Sequence, residues 1–327
     1  MTPGTETLNP IERSSHGRFG DHTFRWVVAA AGLTVLAILA LMIGSTTLDA
    51  IPVFASQGIL NFLTGTTWDP GVSRTEITGT YQAGVFLFGT LVTSLLAIVL
   101  ALPLSIAIAL FLSDVASPRL ARPLAYLVEL LAAIPSVIYG LWGLHFFAPT
   151  VLKPIAKFLS DTLGFIPLFE GPVVAFNPFY AGVVLAIMIL PIITAIVHEI
   201  FRAAPLAERQ AAYGLGATRW EVMWKIVVPR SRPGIIGATM LGLGRALGET
   251  IAIALLIGGG TTINLSLFQQ SESIAAKIVN TFQESAPEAS NALIALGVTL
   301  FAITIVINMA ARLIVRQLGD VSGEAIA

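Results

Sequence analysis

The chain has 327 residues, of which 55% are hydrophobic and 11% charged, with a formal net charge of −1. Soluble domains carry about a quarter charged residues, so this is the composition of a membrane protein, and nothing in its charge balance gives ground for a nucleic-acid partner. The absence of cysteine removes disulfides, thiolate chemistry and cysteine metal sites.

A polar arm over 1–25, with Arg13, Arg18 and Arg25, precedes the first apolar run, which lacks a small-residue cleavage site and reads as an uncleaved span. Apolar segments follow at about 26–44, 83–112, 124–148, 180–200, 234–258 and 292–315. Each is about the length that crosses a bilayer, and a span in lipid must satisfy its own backbone, so each is predicted to be a helix. The expected fold is all-α and polytopic, with six transmembrane helices over 26–318 and a tail at 319–327.

Basic residues set the orientation. The arm, the second and fourth connections and the tail hold 13 of the Lys and Arg residues, and the opposite connections hold four: Arg74, Lys153, Lys157 and Lys277. Both termini and the connection 201–232 are therefore expected in the cytoplasm. The outer connections, 45–82, 149–179 and 259–291, are long for turns. Val151, Ile155, Phe158 and Leu159 in the second, and Ile274, Ile278 and Phe282 in the third, fall at helical spacing. Short surface helices fit both, either as a platform for a substrate-delivering protein or as caps on the bundle. Pro103, Pro135 and Pro191 inside spans are expected to bend them.

The cytoplasmic connection 201–232 contains Gln210, Ala211 and Ala212, then Gly216, then Ile226 and Pro229. A short helix is predicted from Pro205 to Gly214 or Gly216, where glycine permits the positive dihedral that ends a helix. A second is predicted over about Arg219 to Val227. No lysine stands in a Gly-x4-Gly-Lys-Ser/Thr phosphate loop, because the four lysines are followed by Pro154, Phe158, Ile226 and Ile278. Any ATP-derived energy must come from another polypeptide.

Arg245 lies about mid-span in the fifth segment, where a charge costs roughly 2.5–3.5 kcal/mol unless it faces the bundle interior or a water-filled cavity. Glu249 follows four residues later, so a continuous helix would place both on one face, able to pair. The pair is either a self-neutralising structural bridge or a site on an anion's path, with Arg245 as the guanidinium contact. Gly244-x3-Gly248 is expected to let helices approach closely. Glu129 is a further buried carboxylate near the cytoplasmic end of the third span, structural or path-lining. Ser136, Tyr139 and Asn308 could line a path or join helices. His198-Glu199 has no second histidine at metal spacing, and no metal site is expected.

The loop resembles the EAA loop of ABC-importer permeases, Glu-Ala-Ala-x3-Gly-x9-Ile-x-Leu-Pro, with Gln210 in place of Glu and Val228 in place of Leu. Leu63-Thr64-Gly65-Thr66-Thr67-Trp68, Ile134-Pro135-Ser136-Val137-Ile138-Tyr139-Gly140 and Gly244-Arg245-Ala246-Leu247-Gly248-Glu249-Thr250 resemble the phosphate-specific permeases of the PstC family. The resemblance implies a type I ABC-importer permease fold in a prokaryotic inner membrane. It implies a sister permease, PstA, two PstB ATPases that hold ATP and Mg, and a binding protein, PstS, that delivers inorganic phosphate. It also implies that Arg245 and Glu249 are transport-linked and that 205–229 couples to the ATPase. A PstA-type permease or a sulfate or molybdate permease would share most of these features, although the Trp68 and Tyr139 segments favour PstC. A passive anion channel would conduct without ATP. A membrane-embedded enzyme using Glu129 and Glu249 would need a nucleophile or metal set that is not evident.

Overall fold

The computed structural model describes residues 17–69, 79–284 and 287–324, so Arg13, Arg74 and the start of the N-terminal arm lie outside the described residues. The chain divides after Leu48 into two units. The first is most of helix α1, Gly17–Gln57, which runs well past the expected 26–44 at both ends. Its apolar side chains, Trp26, Leu36 and Leu41 among them, are exposed. Such a face is stable in lipid, where backbone bonds close within the helix.

The second unit takes in the end of α1, then α2 (Ile59–Thr64) and a two-residue antiparallel pair, β1 (Trp68–Asp69) with β2 (Thr80–Tyr81), a small departure from the all-helical expectation. Helix α3 (Gly84–Leu110) winds at its end into a π-turn, Phe111–Val115. Helices α4 (Pro118–Ala133) and α5 (Ser136–Trp142) follow, and α5 continues through a π-wound stretch into α6 (Lys153–Leu163). Helix α7 is Pro178–Arg202. The basic connection folds as α8 (Leu206–Gly214), α9 (Arg219–Val222), a π-turn at Met223–Val227 and α10 (Val228–Arg230). Then come α11 (Arg232–Gly248), α12 (Ile251–Ala254), α13 (Ile274–Thr281) and α14 (Pro287–Glu324).

Every apolar segment is helical, but not every one is a single span. Among the described residues, His22–Gln57, Gly84–Val115, Pro178–Arg202 and Ala289–Leu313 are long and apolar enough to cross a membrane. Pro118–Ala133 with Ser136–Leu163, bent by 91°, makes a fifth if the pair is one span. The segment expected at 234–258 holds a helix of only 17 residues before a break. By length and composition the described residues thus hold four spanning helices, or five with the bent pair, where the sequence reading expects six.

Helix α7 is the centre of the larger core, with Val184, Leu185, Ile189, Ile193 and Val197 fully enclosed. Glycine sets its closest neighbours: a Cβ on Gly182 would meet Leu96 of α3 at 2.7 Å, and one on Gly242 of α11 would meet Ile193 at 2.7 Å. Small residues at such crossings let backbones approach, which is how membrane helices gain packing without a hydrophobic driving force. The Ser105 hydroxyl of α3 donates to the Leu190 carbonyl of α7 at 3.2 Å, beside Pro191.

The outer connections are more deeply folded than surface helices would be. Ser271, Glu272, Ser273 and Ile274 are buried, and the Ile274 N–H donates to the Thr90 hydroxyl of α3 at 2.9 Å. The expected apolar stripe of α13 thus begins inside the protein and ends exposed at Phe282. In the second connection the expected stripe is mostly outward: Val151, Ile155 and Phe158 are exposed and Leu159 is half-buried, while Leu152 and Ala156 are buried.

Candidate functional site

Two helix breaks lie side by side. The first separates α4 from α5. Pro135 has no N–H, and its ring drives Ile134 out of the helical region, so Ile134 and Pro135 are extended, with ψ of 128° and 140°. The Leu131 carbonyl, four residues before Pro135, receives the Tyr139 hydroxyl instead, at 2.9 Å. The second break follows α11. Gly242, Gly244 and Gly248 weaken the helix, Glu249 is extended with ψ 129°, and the Thr250 hydroxyl donates to the Gly248 carbonyl at 3.1 Å. The two breaks meet where a Cβ on Gly140 would fall 2.9 Å from both Ala252 Cα and a Leu255 methyl.

Arg245 and Glu249 are therefore not one helix turn apart on a common face, as a continuous helix would have placed them. The helix stops at Gly248, and no ion pair joins the two among the described residues. Glu249 is 7% exposed. Arg245 is exposed, on a face it shares with Gly237, Leu241 and Gly248. Added Cβ atoms at Gly237, Gly244 and Gly248 would meet nothing within 4 Å. The close approach expected at Gly244-x3-Gly248 is made within this chain at Gly242 instead, and also at Gly234, which meets Ile200 at 2.7 Å. Ser136 opens α5, half-buried at the first break.

Glu129 is exposed rather than buried, because α4 buries none of its residues. It lines a cavity of about 70 Å³ with Thr194, His198 and Glu199. No hydrogen bond or ion pair links it to Arg245 or Glu249 among the described residues. Asn308, with Arg312, lines a groove of about 480 Å³ between α11 and α14 whose other wall includes Gly237 and Leu241 of the Arg245 face.

The basic connection forms the helix-turn-helix that its sequence predicts. Its turn is a Schellman motif: the Ala217 N–H donates to the Ala212 carbonyl at 3.0 Å, and the Gly216 N–H to the Tyr213 carbonyl at 3.0 Å. That pattern needs a left-handed residue just past the helix, and Gly216 supplies it with φ +84°. Ala212 is buried under the turn, while Gln210, Ala211 and Gly216 are exposed. Ile226 and Pro229 are half-buried in the following π-turn and α10. Thr218 and Glu221 form a reciprocal capping box on α9. The Thr218 N–H, the Thr218 hydroxyl and Lys225 together hold the Glu221 carboxyl down at about 2. Leu215, Trp220 and Trp224 stand exposed on the same segment.

Two charge pairs had no sequence signal. Arg209 of α8 meets Asp114 at the end of α3 with Nη1 to Oδ1 at 2.5 Å. Lys277 of α13 meets the buried Glu272 at 3.6 Å, its ammonium 5.7 Å and 5.4 Å from the ring centres of Trp68 and Phe86. Burial pushes the Glu272 carboxyl up against the opposing pull of Lys277 and Asn280. Hydropathy alone could not have joined partners 95 residues apart, as Asp114 and Arg209 are.

Broken helices, a charged side chain on an open glycine-lined face and a capped basic helix-turn-helix make up the site, on a fold shared with chains of ABC transporters. The crystal structure of a bacterial alginate ABC transporter contains a chain of the same fold, with a TM-score of 0.61 and 18% identity over 92% of this chain and 97% of that one. The MetNI methionine ABC transporter in its inward facing conformations gives a TM-score of 0.53 at 17% identity over 71% of this chain and 94% of that one.

Residues 101–320 match the binding-protein-dependent transport system inner membrane component family. The phosphate transport system permease protein PstC of Xylella fastidiosa is 39% identical over 98% of this chain and 100% of its own length. That of Pasteurella multocida is 40% identical over 92% and 93%, and PstC 2 of Mycobacterium tuberculosis is 40% identical over 94% of each. The chain belongs to that family, in its PstC branch.

Proposed function

We propose that this chain is one permease half of an ATP-driven importer of inorganic phosphate, working by alternating access in a prokaryotic inner membrane with both termini cytoplasmic. Arg245 carries the reading. A guanidinium on an otherwise apolar helix does not face lipid at a few kcal/mol, so the open stripe of Gly237, Leu241, Arg245 and Gly248 faces water or a partner. A sister permease of the PstA type would complete a cavity there, with Arg245 receiving a phosphate oxygen through paired N–H donors. Glu249, lodged at the adjoining break, and Ser136 would line the same path. The PstC relatives support phosphate as the anion.

Energy would enter through α8 to α10. Gln210, Ala211, Ala212 and Gly216 present a short, tightly turned helix. Leu215, Trp220 and Trp224 offer exposed apolar area to a groove on an ATPase, while Ile226 and Pro229 hold the base of the loop. Two PstB-type ATPases would bind ATP and Mg; this chain contributes no phosphate loop. A PstS-type binding protein would deliver the anion from outside.

The test is uptake of labelled phosphate into vesicles carrying the co-purified complex. Arg245→Gln should abolish uptake while sister permease and ATPase are still recovered. Uptake at the unsubstituted rate would remove Arg245 from the path.

A further inference from the structure

One guanidinium fastens the coupling helix to the bundle at two places. Arg209 Nη1 meets Asp114 Oδ1 of the π-turn that ends α3, at 2.5 Å, and Nη2 donates to the Phe201 carbonyl in the last turn of α7. The other Asp114 oxygen accepts from the Ser113 hydroxyl at 2.5 Å. Both charged side chains are 13% exposed, and Arg209 Nε is enclosed without a partner. The other ion pairs of this region lie open. Arg230–Glu208 spans 3.8 Å, and Lys225–Glu221 and Arg202–Glu199 are likewise solvated. Exposed pairs of that kind contribute little.

Helix α3 lies along α7 and reaches α11, since a Cβ on Gly242 would also meet Ile98 at 3.8 Å. A displacement of the α3 terminus thus acts on the helix beside the one that carries Arg245. The terminus is wound as a π-turn, a form that clusters at functional sites. The rigid guanidinium fork serves a carboxylate and a carbonyl from two separate nitrogens, where an ammonium's donors radiate from a single one.

We propose that the Asp114–Arg209 pair is the positioning link through which movement of α8 is delivered to the end of α3. The inference rests on the docking of α8 to α10 against an ATPase. A merely structural pair would need only to have its buried charges matched. A link must in addition carry displacement.

The experiment compares the unsubstituted complex with Arg209→Gln and with Asp114→Asn/Arg209→Gln, which leaves no buried charge unpaired. It measures ATPase recovery, ATP hydrolysis and phosphate imported per ATP. Expected is full ATPase recovery and continued hydrolysis in the double variant, with phosphate per ATP down about tenfold, within the range that coupling between sites spans. Phosphate per ATP at the unsubstituted value in the double variant overturns the link. Loss of the ATPase from the double variant also overturns it, by making the pair a docking contact. Absence of the ATPase from the unsubstituted complex overturns the docking reading itself, and the link with it.

Discussion

The hydroxyl of Tyr139 stands where Pro135 leaves a donor missing: it bonds the Leu131 carbonyl at 2.9 Å, the acceptor that an ordinary residue at 135 would have bonded through its N–H. The bend is thereby satisfied from the far side of the break, and Tyr139 is 7% exposed. Tyr139→Phe should destabilise the purified protein by about 0.5–1.5 kcal/mol, the net contribution of one hydrogen bond, since the Leu131 carbonyl keeps the Ile134 N–H at 3.4 Å. Pro135→Ala restores a donor, so the double variant should regain part of that loss. Thermal unfolding in detergent reads both, and a midpoint unmoved by Tyr139→Phe would mean that water already serves the carbonyl.

This break was half legible. Pro135 announced a bend, and Pro103 and Pro191 announced bends equally, yet those two lie inside helices that run on unbroken from Gly84 to Leu110 and from Pro178 to Arg202. Proline removes a donor wherever it sits; whether a helix stops there depends on neighbours that fold in later. The break after Gly248 was hidden for another reason. Apolar periodicity continues through Glu249 into Ile251–Ala254, so spacing alone placed Arg245 and Glu249 one above the other. The helix-turn-helix of 206–230 is nearly all legible, because its turn is decided locally by one glycine. The Asp114–Arg209 and Glu272–Lys277 pairs were not read, because tertiary folding brings their surroundings together.

Gly216 tests the local reading. With φ +84° and open space around the position of a Cβ, its need is conformational and not steric. A left-handed L-residue costs roughly 1–2 kcal/mol, less for Asn. Retention of the ATPase on the purified permease should therefore fall in the order Gly, Asn, Ala, Val. Equal retention in Gly216→Val would separate the Schellman turn from docking.

Lys277 holds a carboxylate that is 4% exposed. Removing it by Lys277→Met strands that charge, and breaking a buried pair costs about 3–5 kcal/mol. Adding Glu272→Gln should recover most of the loss. The pH dependence has a fixed sign. The folded state raises the Glu272 pKa, so it favours the protonated carboxyl, and the associated stability fades as pH rises through the folded value. Lys277→Met removes the opposing cation, so its deficit should be greatest at neutral pH and shrink on acidification. A pH-independent deficit in the unfolding midpoint would locate the loss in packing on Trp68 and Phe86.

Glu221 should respond in the opposite sense. Its carboxyl is held at about 2, well below its ordinary 4.5, chiefly by the Thr218 N–H at 3.0 Å, then by the Thr218 hydroxyl at 2.9 Å and Lys225 at 3.2 Å. A depressed pKa means that the ionised cap supports α9 above about 4.5 and is lost as pH falls toward 2. Amide hydrogen exchange of residues 219–222, corrected for intrinsic rates, should show protection declining over that window. Glu221→Gln keeps a hydrogen-bonding partner for Thr218 but cannot titrate, so its protection should be flat. Thr218→Ala removes the reciprocal acceptor for the Glu221 N–H, which lies 3.3 Å away, and should lower protection at every pH. If protection in the unsubstituted protein were as flat as in Glu221→Gln, the hydrogen bond alone, without its charge, would be holding the start of the second loop helix.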